Sequence, residues 1–337
     1  MTSEDMPGQV NTARSGRGRH FLVRLAWVVA VLIALILAGT LWESAAEAAD
    51  QRAYPPPGQL VDMGGYSLHL HCVGSGSPTV VIEAGLGDWS ASWSSRVQPE
   101  VAKTTRVCTY DRAGLGWSDA GPLSRTAEHF AQELHALLQR ARVPGPYVLV
   151  GHSLGGLTVR LFARDHRADV GGVVLIDSMH PDQATGPRPD PSAEPAAIDG
   201  SFSITVLAAR IGLVRLLTGP LDLKGGLSPA VADAYAALLV TPRTFETQQR
   251  EGAGVAISLS QAADVTSLGD LPLIVVSRGR DQDPTWQRMQ SDLLRLSSES
   301  RQLIADQSGH NVQLDQPDVA GSAIVEMVDR LRRQSQP

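Results

Sequence analysis

Aromatic residues make up only 5% of the 337-residue chain, too few for a broad stacking surface against sugars or bases. Positive charge is short as well. Lys and Arg number 29 against 35 Asp and Glu, a net charge of −6, and no dense basic block lies in the body of the chain. A nucleic-acid partner is therefore not expected. No internal repeat is found, and no low-complexity tract beyond short Pro/Gly/Ala-rich linkers, which sets repeat architectures aside. Cysteine is scarcer still, with Cys72 and Cys108 the only two. Apolar residues are plentiful: 43% hydrophobic content is ample for the core of one large or two ordinary domains.

Part of that apolar content is concentrated near the N-terminus. Residues 1–20 are polar and rich in Gly, Ser and Arg, and then Leu25–Trp42 runs for 18 residues without a charge. As a helix this run would span about 27 Å, close to the ~30 Å hydrocarbon thickness of a bilayer. Arginines end at Arg24, and Glu43, Glu47 and Asp50 follow. The positive-inside rule puts residues 1–24 in the cytoplasm and the remainder outside. Trp27 and Trp42 bracket the run like interfacial anchors, so a signal anchor over residues 25–42 is expected. The alternative is cleavage at Ala46-Glu47-Ala48, which would leave a secreted protein. Residues 43–58, ending in Tyr54-Pro55-Pro56-Pro57-Gly58, read as a linker.

From residue 59 on, short apolar strands alternate with helical patterns, the mark of an α/β fold. Leu60–Met63 and Tyr66–Val73 read as a hairpin across Gly64-Gly65, and Thr79–Glu83 and Arg106–Asp111 as buried strands. A helix of about 18 residues is expected from Ser124, with a cap signal at Thr126. The central stretch is Tyr147-Val148-Leu149-Val150-Gly151-His152-Ser153-Leu154-Gly155-Gly156, with helical spacing after it. This is G-x-S-x-G between a strand and a helix, a nucleophile elbow. A serine there sits in strained backbone with small neighbours, and the next helix points its N-terminus at the reaction centre. Strands Gly171–Asp177 and Leu271–Ser277 follow, then a helix over 285–296, a short strand near 301–305, and a last helix Pro317–Leu331.

Two tracts carry a family resemblance: Tyr110-Asp111-Arg112-Ala113-Gly114-Leu115-Gly116-Trp117-Ser118-Asp119 and Gly151-His152-Ser153-Leu154-Gly155-Gly156. Both resemble segments of α/β-hydrolase proteins of the esterase, perhydrolase and aminopeptidase-like branch. The likeness covers residues 60–333. It implies an α/β-hydrolase domain over 59–333, with a mostly parallel central sheet flanked by helices. It also implies a helical cap inserted at 182–268, where Pro-rich sequence breaks the rhythm.

The implied catalytic set is Ser153 as nucleophile, His310 as general base and Asp281 as orienting carboxylate, in the chain order Ser, Asp, His. Asp177 and Asp283 are alternatives for the acid, since each also lies at a strand end or loop before His310. The oxyanion hole is expected from the main-chain N–H groups of Leu154 and Leu86. The segment Glu83-Ala84-Gly85-Leu86 lacks the family's histidine and leaves Glu83 to be explained, an ion pair with Arg112 being the plain reading. His69 and His71 alternate on one strand, which allows a metal pair or, more simply, a solvated sheet edge. In the usual strand order of the family, Cys72 and Cys108 fall on neighbouring strands, as a disulfide or as two buried thiols.

The expected activity is hydrolysis of a small-molecule acyl substrate, a carboxylic ester first, through an acyl-enzyme without metal or organic cofactor. A serine at the elbow speaks against the dehalogenases and epoxide hydrolases of this fold, which use aspartate there. A proline-type aminopeptidase would need acidic cap residues such as Glu246 or Glu251 to bind an ammonium group. A non-catalytic binding protein is the third reading.

Overall fold

Strand-forming apolar runs become the layers of one sheet. The computed structural model describes residues 15–184, 186–195, 200–219, 225–281 and 283–335. The strands are β1 (Gln59–Asp62), β2 (Ser67–Val73), β3 (Thr79–Glu83), β4 (Val107–Tyr110), β5 (Tyr147–His152), β6 (Val170–Ile176), β7 (Leu273–Arg278) and β8 (Ser300–Ala305). They form a sheet of eight strands in the order β1-β2-β4-β3-β5-β6-β7-β8. Pairing is antiparallel for β1·β2 and β2·β4 and parallel elsewhere.

The helices are α1 (Ser15–Ala53), α2 (Ser90–Ser94), α3 (Val97–Val101), α4 (Ala127–Arg140), α5 (Leu154–Asp165), α6 (Gly200–Arg210), α7 (Leu213–Thr218), α8 (Pro229–Leu239), α9 (Pro242–Ala263), α10 (Pro284–Asp292), α11 (Val312–Asp315) and α12 (Pro317–Gln334). Every residue of β5 is buried, and its side chains alternate between two cores. Leu149 packs with Phe130, Leu134 and Leu137 of α4 and Leu157 and Leu161 of α5. Val148 and Val150 pack on the other face with Val97 and Val101 of α3 and Ile324, Met327 and Val328 of α12. Both sheet faces are thus covered, as the continuous apolar strands require. Helices α6 to α9 form the insert between β6 and β7, where a cap was expected.

Three local expectations change. Residues 43–53 are not a loose linker but continue α1, and Glu43 is buried against Arg215 of α7 at 2.8 Å. Residues 1–14 of the expected cytoplasmic segment lie outside the described residues. His69 is no solvated edge residue: it is fully buried, its ring hydrogen-bonds Asp111 at 2.9 Å, and its other nitrogen meets the carbonyl of Pro57. Helix α4 starts three residues later than expected, and Thr126 makes no side-chain cap bond. Instead Ser258 and Gln261 of α9 accept the N–H groups of Ala127 and Glu128 at 2.9 and 3.1 Å. The two cysteines are directly opposed in the β2/β4 ladder and joined as a disulfide.

Candidate active site

The parallel strands β5, β6 and β7 end on one edge of the sheet, and the loops leaving them converge there. β5 runs into Ser153, whose backbone is held at φ +52, ψ −121. Few side chains adopt a positive φ without a reason, and a tight turn that lifts a nucleophile is one. The turn needs its glycines. A β-carbon at Gly151 would lie 2.6 Å from the carbonyl oxygen of Gly155, and one at Gly155 would lie 2.5 Å from that of Glu83. α5 can therefore fold back against the strand end only with small residues at both positions.

Ser153 Oγ lies 3.0 Å from Nε2 of His310. His310 Nδ1 lies 2.6 Å from Oδ2 of Asp177. The expected acid is therefore corrected: Asp177, at the end of β6, faces the imidazole, and Asp281 does not. Asp281 is exposed, with its carboxylate beside Gly309. Asp283, the other alternative, accepts the N–H of Trp286 at 2.8 Å and caps α10.

Asp177 is completely buried and richly partnered. Its oxygens accept the main-chain N–H of Arg278 at 3.2 Å, the Arg278 guanidinium at 3.0 Å and the Trp286 indole N–H at 2.9 Å. Burial pushes the carboxyl up, but the hydrogen bonds from His310 and Arg278 and their charges outweigh it and hold the group below its ordinary range. The Arg278 guanidinium also stacks on Trp286, 4.3 Å from the ring centroid. Neither Arg278 nor Trp286 was singled out from sequence; a cation directly after an apolar strand was the only signal for the first.

His152 packs under the site. Its Nε2 donates to the carbonyl of His310 at 2.9 Å, and burial pushes its pKa down to about 4, so the ring is neutral. The loop bearing Leu86 lies against the serine, since a β-carbon on Gly85 would come 3.3 Å from Ser153 Cβ. Leu154 opens α5 immediately after Ser153. The loop is braced from below and from the cap. Arg112 donates to Glu83 at 2.7 Å, to the carbonyls of Ala84 and Gly85 at 2.8 and 2.6 Å, and to Glu251 of α9 at 2.7 and 2.9 Å. Glu251 also accepts the N–H of Gly87 at 2.7 Å, and the hydroxyl of Tyr110 donates to Glu83. The ion pair expected for Glu83 is present, with a second carboxylate that sequence did not offer.

A cavity of about 610 Å³ opens over Ser153 and His310. Leu86, Met179 and Leu314 line it from the sheet side, and Leu227, Tyr235 and Gln248 from the insert. Among the described residues, Asp88 is the one carboxylate in its lining. Burial, against hydrogen bonds from Ser92 and Trp89, pushes Asp88 up to about 6. A serine, an imidazole and a buried carboxylate in this line can move a proton off the serine and stabilise the imidazolium that results.

Residues 78–317 match the family model for the alpha/beta hydrolase fold. The chain belongs to that family. The uncharacterized protein YqjL of Bacillus subtilis is 27% identical over 269 residues, covering 78% of this chain and 88% of the relative. The probable transporter efuK of Hormonema carpetanum is 28% identical over 80% of this chain, but this chain spans only 42% of its length. Among solved α/β hydrolases, a putative lipase from Acinetobacter baumannii superposes with a TM-score of 0.63 at 18% identity, over 87% of this chain and 97% of the lipase. The epoxide hydrolase CorEH superposes with a TM-score of 0.60 at 21% identity, over 81% and 98%. These structural likenesses speak for the shared fold.

Proposed function

We propose that this hydrolase cleaves carboxylic esters through an acyl-enzyme on Ser153, held at a membrane by α1. The observation that carries the reading is the hydrogen-bonded line from Ser153 through His310 to Asp177. Ser153 Oγ attacks the acyl carbon while Nε2 of His310 takes its proton. Asp177 holds the ring and balances its charge. The N–H groups of Leu154 and Leu86 receive the developing oxyanion. His310 then returns the proton to the departing alcohol, and a water activated by the same imidazole releases the acid.

The aminopeptidase reading loses its anchors. Glu251 is buried on Arg112, and Glu246 is paired with Arg210 at 2.5 Å. For the leader, the packing favours an uncleaved anchor. Cleavage after Ala48 would strip away Glu43, which is 2% exposed and bonded to Arg215.

The test is labelling of the full-length protein in detergent by a fluorophosphonate probe, beside Ser153→Ala. Labelling in the wild type and none in the variant is expected. A folded wild type that resists the probe would turn the reading towards a binding protein.

A further inference from the structure

A helix that crosses a bilayer sets the depth of whatever is clasped to its last turns. The apolar run of α1 ends at Trp42. The junction of α6 and α7 is locked to α1 at that level. A β-carbon on Gly39 would lie 2.4 Å from the carbonyl oxygen of Ile211, and one on Gly212 would lie 2.4 Å from the Trp42 ring. The contact at Gly39 is three residues inside the end of the run, roughly 4.5 Å at the helical rise. On α1 charges begin just beyond Trp42, and the cations of the junction are paired: Arg210 bonds Glu246 at 2.5 Å, and Arg215 bonds Glu43 at 2.8 Å and Asp50 at 2.7 Å.

Around this junction the two helices bare their apolar side chains. Ile204 and Leu207 of α6 are 71% and 57% exposed, and Leu213, Leu216 and Leu217 of α7 are 40%, 65% and 65% exposed. Single exposed leucines are ordinary, but a cluster of this size marks a surface that is covered in use. Its continuity with the exposed apolar face of α1 names the cover. We propose that the α6–α7 hairpin is seated among the lipid chains of the leaflet in which α1 ends, so that the insert over the active site rests in the membrane. This rests on the reading of α1 as a spanning helix. The segment after α7 supplies Leu227 to the cavity wall over Ser153, so the wall and the lipid-facing hairpin are neighbours in the chain.

Depth-dependent quenching in phosphatidylcholine vesicles tests this on the full-length protein. Leu207→Cys, Leu217→Cys, Leu32→Cys in the apolar run and Ser298→Cys before β8 each receive a nitrobenzoxadiazole label without reductant, so that Cys72 and Cys108 stay bridged. Circular dichroism checks that each variant is folded. With brominated acyl chains, labels at 207, 217 and 32 are expected to lose at least half of their emission, and the label at 298 almost none. Quenching at 32 alone would place the hairpin above the membrane and overturn the inference while leaving the anchor standing. Blue-shifted but unquenched emission at 207 and 217 would mean a protein cover, such as a second copy, and would overturn it too. A label at 32 that escapes quenching would remove the spanning helix and the inference together.

Discussion

Asp177 and Asp281 leave adjacent parallel strands at one edge of the sheet, and both sit at positive φ, +39 and +52. From the sequence alone each could reach His310. The difference is burial. Asp177 is enclosed by Arg278, Trp286 and His310, and Asp281 faces solvent. We expect Asp177→Asn to lower kcat/KM on a model ester by about 10³–10⁴, the range seen when a triad carboxylate loses its charge. Asp281→Asn should stay within about threefold of wild type, as surface changes away from the reacting groups do. Steady-state assays of both variants decide between them, and the opposite order would restore Asp281. Ser153 and His310 were legible because their signals are local: a glycine-framed turn after a strand, and the last histidine after the last strand.

At the level of elements, the loop beside the serine is held by a charge cluster assembled from three parts of the chain. Arg112 follows β4, Glu83 ends β3, and Glu251 comes from α9 of the insert. All three are buried. Removing the cation would leave two carboxylates facing each other out of water. Arg112→Met is therefore expected to cost about 3–5 kcal/mol, the range for breaking a buried pair. Its denaturant midpoint measures this, and an unchanged midpoint would mean that water already screens the cluster. Only Glu83 and Arg112 could be matched in advance, because Glu251 lies 139 residues beyond Arg112 and α9 had no fixed register on the sheet. The capping of α4 follows the same rule: Thr126 is its N-cap residue, as expected, but its side chain makes no cap bond. Thr126 is a good capping residue by type, yet the orphan N–H groups are met by Ser258 and Gln261 from the insert. Tertiary contact outranked the local signal.

For the molecule as a whole, two ties hold the chain beyond its cores. The disulfide bridges strands 36 residues apart in sequence. Closing a loop of that size restricts the unfolded chain, so replacing Cys72 and Cys108 together by Ser should lower stability by about 2–4 kcal/mol. Chemical unfolding of the double variant against oxidised wild type checks the figure. Equal stabilities would mean that the ladder alone fixes the register. The second tie is the continuous helix α1, whose last turns grip the insert through Glu43 and Asp50 on Arg215. What was expected to be a tether is thereby part of the folded unit.

The sequence by itself determined the alternation of strands and helices, the turn at Ser153, the histidine that answers it and the apolar run of α1, because each is a matter of periodicity or of neighbours along the chain. Tertiary structure alone decided which aspartate meets His310, what Glu251 does, which groups satisfy the first N–H groups of α4 and how α1 meets the insert. Each of these depends on residues brought together from distant parts of the chain, where distance and burial rather than residue type set the strength of a contact.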